Sequence, residues 1–244
     1  MTVGFTIRPY HPGDEAGVLA VWNSALFADP INATTFRAKV LLDPNFDRET
    51  CLIAEKDGAV AGFVLGLRRR VPFFGDGYEP DESWISAFGV APQFQGQGIG
   101  SALLEQVLAK LQSLGAKQTA LSPYVPNYFT PGADANAYAS GVDFLIKRGF
   151  EVIERPISMR TELTGFQIPD AIQQRKAELA AEGVEIRPAT PEDIVPVLDF
   201  IPKHFTWDWH REASGVFMDL FSGDPRWVNM IVAREGDDVL GYAE

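Results

Sequence analysis

Residues 84–115, WISAFGVAPQFQGQGIGSALLEQVLAKLQSLG, constrain the fold more than any other stretch of the chain. Residues 84–90 are aromatic and branched apolar and run into Pro92, which cannot continue a ladder, so a strand is expected there. Ile99, Leu103, Val107, Leu111 and Leu114 then recur at three- and four-residue spacing, with Glu105, Gln106, Lys110 and Gln112 between them. That is the pattern of a half-buried helix, and Gly115 is its stop. Between strand and helix stand Gly96, Gly98 and Gly100. A helix start offers unpaired backbone N–H groups and the positive end of the dipole, and residues without side chains let an anion approach them. The segment therefore reads as a phosphate cradle. Glycines placed only for tight packing would weaken the helix start three times over with nothing to compensate.

Two phosphate-binding patterns are excluded by spacing. A dinucleotide turn requires G-x-G-x-x-G with an acidic residue about twenty positions on. Here the glycines alternate, and the residue twenty after Gly100 is Ala120. A nucleoside-triphosphate loop requires Gly-Lys-Ser/Thr, and Gly100 is followed directly by Ser101. The segment instead resembles the acyl-CoA motif of the GNAT superfamily of N-acyltransferases, Gln/Arg-x-x-Gly-x-Gly/Ala after a strand ending Val-x-Pro. Gln95, Gly98 and Gly100 hold the motif positions, and Val90, Ala91 and Pro92 the preceding ones. The resemblance implies that the turn Gln95, Gly96, Gln97, Gly98, Ile99, Gly100 and Ser101 holds the pyrophosphate of acetyl-CoA through backbone amides. It also implies that the strand edge at Phe88, Gly89 and Val90 receives the pantetheine arm.

The surrounding order agrees. Residues 5–9 read as a strand, 14–27 and 34–42 as helical, and 51–55 and 60–67 as strands joined by the hairpin signal Lys56-Asp57-Gly58. After the glycine segment come a strand over 117–122, a helix over 135–147 stopped by Gly149, and strands over 150–153 and 157–163. The fold class is α/β (α+β): the resemblance, which covers about residues 5–164, implies a mixed, mostly antiparallel sheet flanked by helices.

A second feature sets the domain organisation. Ile7, Arg8 and Pro9 recur as Ile186, Arg187 and Pro188; Pro12 and Asp14 as Pro191 and Asp193; Ala54, Val60 and Gly62 as Ala233, Val239 and Gly241. Every pair is offset by 179 residues. One fixed offset indicates an internal repeat, in the manner of tandem GNAT proteins. The expected division is a first domain over 1–165, a linker with a helix at 170–181 over 166–183, and a partial second copy over 184–244 lacking a glycine motif. That copy should supply a strand from Val184, helices over 191–200 and 213–221, and a hairpin over 230–244. Such a fragment leaves an unpaired sheet edge, and three readings stand: it pads the first domain, it pairs with another chain, as in a homodimer, or it is a truncated piece, the reading favoured here.

With 46% hydrophobic residues, disorder is not expected. The net charge of −12 argues against nucleic acid as a partner and suits a cationic amine. The absence of an eighteen-residue apolar run, and of a signal pattern in MTVGFTIRPY, points to a cytoplasmic protein without membrane attachment. Cys51 lies in a core strand and reads as a structural thiol, and His11, His204 and His210 lack ligand spacing, so no metal is expected.

Amide formation from a thioester requires a neutral amine, a donor for the tetrahedral oxyanion and a proton for the thiolate. The resemblance implies that the Val90 N–H serves the oxyanion. By register with Ile85 and Val90, the strand position where many relatives carry a glutamate is Ser86 here, leaving Glu82 or Asp81 as bases acting through water. The position four before Gly149, where relatives place a tyrosine, is Leu145, and Tyr138, two turns earlier, is the candidate acid. Residues 69–81 and 123–134 mix aromatics with prolines and read as acceptor walls, with Tyr124, Tyr128 and Phe129 joined by Trp22 and Phe27. The expected activity is acetyl transfer from acetyl-CoA to a primary amine of a small molecule, by direct attack in a ternary complex. The alternatives are a CoA-binding module without turnover and a transferase using another acyl-CoA.

Overall fold

The computed structural model describes residues 4–73, 75, 77–157, 159, 161–222 and 230–244. The chain divides into two compact units, Met1–Ile157 and Ser158–Glu244. The first is a five-stranded sheet in the order β1 (Thr6–Pro9), β2 (Cys51–Lys56), β3 (Ala59–Leu67), β4 (Glu82–Val90) and β5 (Gln118–Leu121). All neighbours are antiparallel except β4 and β5, which run parallel. The β2–β3 hairpin forms at the expected signal, with Lys56 taken into β2 and a two-residue turn left of Asp57 and Gly58, both at positive φ, as a twisted hairpin requires.

Helices cover both faces. β3 (AVAGFVLGL) is a nearly unbroken apolar run because it is buried on both sides. Phe63, Leu65 and Leu67 pack with Trp22 of α1 (Glu15–Ala25) and with Phe36 of α2 (Ala33–Phe36). Val64 packs with Ile85 and with Leu103, Val107 and Leu111 of α3 (Ile99–Ser113). The helical piece expected over 34–42 is one α turn that widens into a π turn, Arg37–Leu41. Cys51 is buried, and burial pushes its thiol up to about 12, so it carries no thiolate at neutral pH.

The strands expected over 150–153 and 157–163 do not form among the described residues, and Ser158 and Arg160 lie outside them. Ile153 and Ile157 are 87% and 85% exposed. Apolar residues alone do not make a strand. This segment finds no ladder partner beside β5, and Pro156 removes a donor. The helix expected over 135–147 is shorter, α4 (Ala139–Ile146), because Asp134 spends its side chain on the N–H groups of Asn136 and Ala137 and holds that segment as a turn.

The second unit packs α5 (Asp170–Ala181), α6 (Ile194–His204) and α7 (Trp207–Phe221) with a sheet of β6 (Val184–Pro188), β7 (Ile231–Glu235) and β8 (Asp238–Ala243). Helix α7 starts six residues before the expected position 213, since Thr206 adopts an extended backbone and Asp208 falls in the first turn. Some local features of the two units lie 179 residues apart. Arg8 Nη1 meets Asp14 Oδ2 at 2.7 Å, and Arg187 Nη1 meets Asp193 Oδ2 at 2.5 Å. The N–H groups of His11 and Thr190 donate to those same oxygens at 2.7 Å each. The bulge between Ala54 and Glu55 has its counterpart between Ala233 and Arg234. Among the described residues no helix is long and apolar enough to cross a membrane.

Candidate active site

β4 and β5 part company halfway. They pair from Glu82 with Gln118 to Ile85 with Leu121, but β4 continues to Val90. A bulge marks the parting: Gly66 faces Ile85 and Leu65 faces Ala87, so Ser86 is the extra residue. On the other edge β4 stays bonded to β3, and the Ala91 N–H donates to the Ala61 carbonyl at 2.9 Å. Backbone groups alternate along a strand, so the N–H groups of Val90 and Phe88 face the edge that β5 has left. The Val90 carbonyl is taken by Gln95 Nε2 at 3.0 Å, which pins the strand end to the turn.

The turn then aims the helix. Gly96 and Gly98 sit at φ +73° and +84°, left-handed values that side chains resist, and Gly98 leads into α3. Gly100 answers to packing: a Cβ there would lie 3.3 Å from the Phe88 ring and 3.6 Å from Phe144. The helix N-terminus is thereby drawn against the open part of β4.

Strand, turn, α4 and the end of α1 enclose a cavity of about 740 Å³, within the range of small-molecule sites. Of the residues implied for the cofactor, Phe88, Gly89, Val90, Gln95, Gly96, Gly98, Gly100 and Ser101 line it. Gln97 and Ile99 do not. The Gln97 side chain accepts from Lys56 Nζ and donates to the Gln93 carbonyl, and Ile99 is buried in the core against β3 and β4. Trp22, Phe27 and Phe129 also line the cavity, with Trp22 edge-on to Phe129 at 4.6 Å. Tyr124 and Tyr128 are not part of the wall. Tyr124 is fully buried, its hydroxyl held by Asn45 at 2.7 Å and Asp43 at 3.0 Å, with Arg69 over its ring. Burial pushes that phenol above its usual range. Tyr128 lies under Lys39 outside the cavity. Segment 69–81 contributes no described lining residue, while 123–134 contributes Phe129, Thr130, Gly132 and Ala133.

The polar candidates divide similarly. Glu82 opens β4 in its paired half and is absent from the cavity wall, and Asp81 is tied to Lys117 at 2.8 Å. Tyr138 is on the wall. Its hydroxyl donates to Asp29 Oδ2 at 2.7 Å and accepts from the Ala28 N–H at 3.0 Å. Burial and the bond to Asp29 push the phenol up to about 12, so it keeps its proton at neutral pH.

Three lining residues had no such standing in the sequence. Asp29 and Arg148 are the charged side chains on the described wall, and Arg148 donates to Ser101 Oγ at the start of α3 while lying over the Phe144 ring at 3.7 Å. Ser86, noted only by register, is 7% exposed and its Oγ has no hydrogen-bond partner. An unpaired buried hydroxyl costs about 1–3 kcal/mol. Ser86→Ala is therefore expected to raise stability by about 1 kcal/mol, read as a higher denaturant midpoint at unchanged slope. A lower midpoint would mean that the hydroxyl is satisfied in solution.

A half-open sheet, a glycine turn at the mouth and an apolar cavity between them make a binding site for an extended ligand that carries an anionic group. A profile of the Acetyltransferase (GNAT) family matches residues 19–129, which carry the strand, turn and helix of this site. That match takes in most of the first unit, Met1–Ile157. The mycothiol acetyltransferase of Sanguibacter keddieii is 34% identical over 119 residues, 47% of this chain and 36% of that protein. The L-2,4-diaminobutyric acid acetyltransferase of Nocardia farcinica is 29% identical over 122 residues, 49% of this chain and 58% of that protein. The chain thus spans less than two thirds of the length of either relative. Among solved structures, a fungal multi-domain GH3 beta-N-acetylglucosaminidase with a GCN5-related glucosamine N-acetyltransferase region shares the fold over 98% of this chain and 27% of its own. The TM-score is 0.70 and the identity 21%.

Proposed function

We propose that the first unit transfers an acetyl group from acetyl-CoA to a primary amine of a small molecule, within a ternary complex. The observation that carries this is the union, in one cavity, of the open β4 edge with the glycine turn at the N-terminus of α3. The turn's backbone amides and the helix dipole hold the pyrophosphate. The arm then runs along β4, where the Val90 and Phe88 N–H groups have no strand to serve. An N–H fixed on that edge meets the thioester oxygen and strengthens its bond as the oxygen becomes an oxyanion. The neutral amine nitrogen attacks the carbonyl carbon and loses a proton to solvent, the carbonyl re-forms as the C–S bond breaks, and the sulfur leaves as a thiolate. A free thiol ionises near 8.5, so its proton can come from solvent. For Tyr138 to supply it, the hydroxyl must exchange its bond to Asp29 for the sulfur.

Arg148 strengthens the anion site. Its guanidinium lies beside Ser101 and has no ion-pair partner among the described residues. Arg148→Ala is expected to weaken acetyl-CoA binding about tenfold, equivalent to about 1.4 kcal/mol, and to flatten the dependence of the dissociation constant on salt. Calorimetry at two ionic strengths reads both effects.

A CoA-binding module without turnover is the second reading, favoured by Ser86 where relatives carry a carboxylate. Calorimetric titration with acetyl-CoA, followed by thiol release across a panel of primary amines, separates the two. Binding with amine-dependent thiol release supports the transferase. Binding with background release alone supports the module, and no binding rejects both. We further infer that the second unit repeats the first part of the first. The paired Arg–Asp bonds and paired bulges at one offset support this.

A further inference from the structure

The two charged groups on the described cavity wall belong to different elements. Arg148 follows α4 and serves the turn. Asp29 follows α1, among Phe27, Phe129 and Trp22. Three bonds fix it there. Trp22 Nε1 donates to its carbonyl at 3.0 Å, its own N–H donates to the Leu26 carbonyl at 3.0 Å, and the Tyr138 hydroxyl donates to Oδ2 at 2.7 Å. Oδ1 accepts no hydrogen bond and the carboxylate has no ion-pair partner among the described residues.

Asp29 thus presents to a largely apolar cavity a half-buried carboxylate with one oxygen unbonded and no cation beside it among the described residues. The group that would compensate it is a cation arriving from solvent. The acceptor of an N-acetyl transfer is one, because an alkylamine ionises near 10.4 and reaches the protein as an ammonium. Resting on the acetyl-transfer reading of this cavity, we propose that Asp29 receives the ammonium group of the acceptor, and that Tyr138 is the positioning residue that holds it. Oδ1 takes a charge-assisted hydrogen bond from the nitrogen while Oδ2 stays with Tyr138. The ammonium then gives one proton to solvent, and the neutral amine so formed is the species that attacks the thioester. The net charge of −12 adds a weak long-range attraction for such acceptors. Selectivity then follows from charge: an alcohol of the same shape leaves the carboxylate uncompensated and binds poorly.

The test compares n-butylammonium with n-butanol at constant ionic strength, by saturation-transfer NMR on the full chain, in parallel with calorimetry of acetyl-CoA. The wild type is expected to bind the ammonium at least tenfold more tightly than the alcohol. Asp29→Asn, isosteric and still able to accept from Tyr138, should bring the two ligands to parity. Tyr138→Phe should lose about threefold of the preference, a loss confined to the charged probe that a general packing defect would not produce. All three proteins should bind acetyl-CoA alike. Equal binding of the two probes by the wild type, or a preference retained in Asp29→Asn, overturns the proposal. Failure of the wild type to bind acetyl-CoA overturns the transferase reading instead, and leaves the ammonium preference as a separate result.

Discussion

Gly98→Val is expected to weaken acetyl-CoA binding by at least a hundredfold. Gly98 stands at φ +84° at the entrance to α3, and a β-branched residue held there costs about 1–3 kcal/mol of strain. No protein atom lies within 4 Å of a Cβ built on Gly98. A Cβ at Gly98 therefore enters open space, and Gly98 lines the cavity at the turn where the phosphates are proposed to sit. Two outcomes of the strain are separable. Either the turn keeps its shape and the isopropyl group blocks the ligand, or the turn relaxes and its N–H groups disperse. Gly98→Ala keeps most of the strain with less bulk, so a binding loss much smaller than that of valine assigns the effect to blockage. Equal losses assign it to the turn's backbone. Calorimetry measures affinity, and a melt of the free protein confirms that both variants fold. Unchanged affinity in Gly98→Val would remove the glycine turn from the cofactor site.

Trp22→Ala should cost about 3–5 kcal/mol of stability, a large part of the 5–15 kcal/mol that keeps a domain folded. Trp22 is 1% exposed, stacked on Phe63 at 5.3 Å and edge-on to Phe129. Its Nε1 also holds the Asp29 carbonyl, so truncation leaves a void and frees the loop that carries Asp29. Trp22→Phe separates the two effects. It refills most of the volume and should recover most of the stability, yet it cannot donate to Asp29. Chemical denaturation reads the packing loss. A Trp22→Phe variant near wild-type stability that retains acetyl-CoA binding but loses the preference for butylammonium would tie the indole N–H to the acceptor side. Recovery of both would limit Trp22 to packing.

The sequence determined the strand, turn and α3 helix on its own, because their signals are local. Alternation, 3.6-residue spacing and glycines at a helix start are all read within about thirty residues. The hairpin at Asp57-Gly58 was legible for the same reason. The strands expected after residue 150 failed because a strand exists only through its neighbour, and apolarity does not reveal whether a neighbour is there. Tyr124 shows the same limit in a side chain. An aromatic in a proline-rich loop looks like a cavity wall until Asn45 and Asp43, far away in the chain, draw its hydroxyl into the core.

The polar chemistry of the cavity was decided by tertiary structure alone. Asp29 and Tyr138 are 109 residues apart, and Arg148 and Ser101 are 47 apart. No local pattern encodes such pairs, because each partner's own neighbourhood is an ordinary turn or helix end. Ser86 became informative only when the β3 register showed that β4 bulges there, which sets its hydroxyl in the cavity wall without a partner. Backbone sites are written into glycines and periodicity because they depend on the conformation of one segment. Side-chain sites depend on which segments the core brings together, and that is fixed only when the sheet has closed around Trp22 and Phe63.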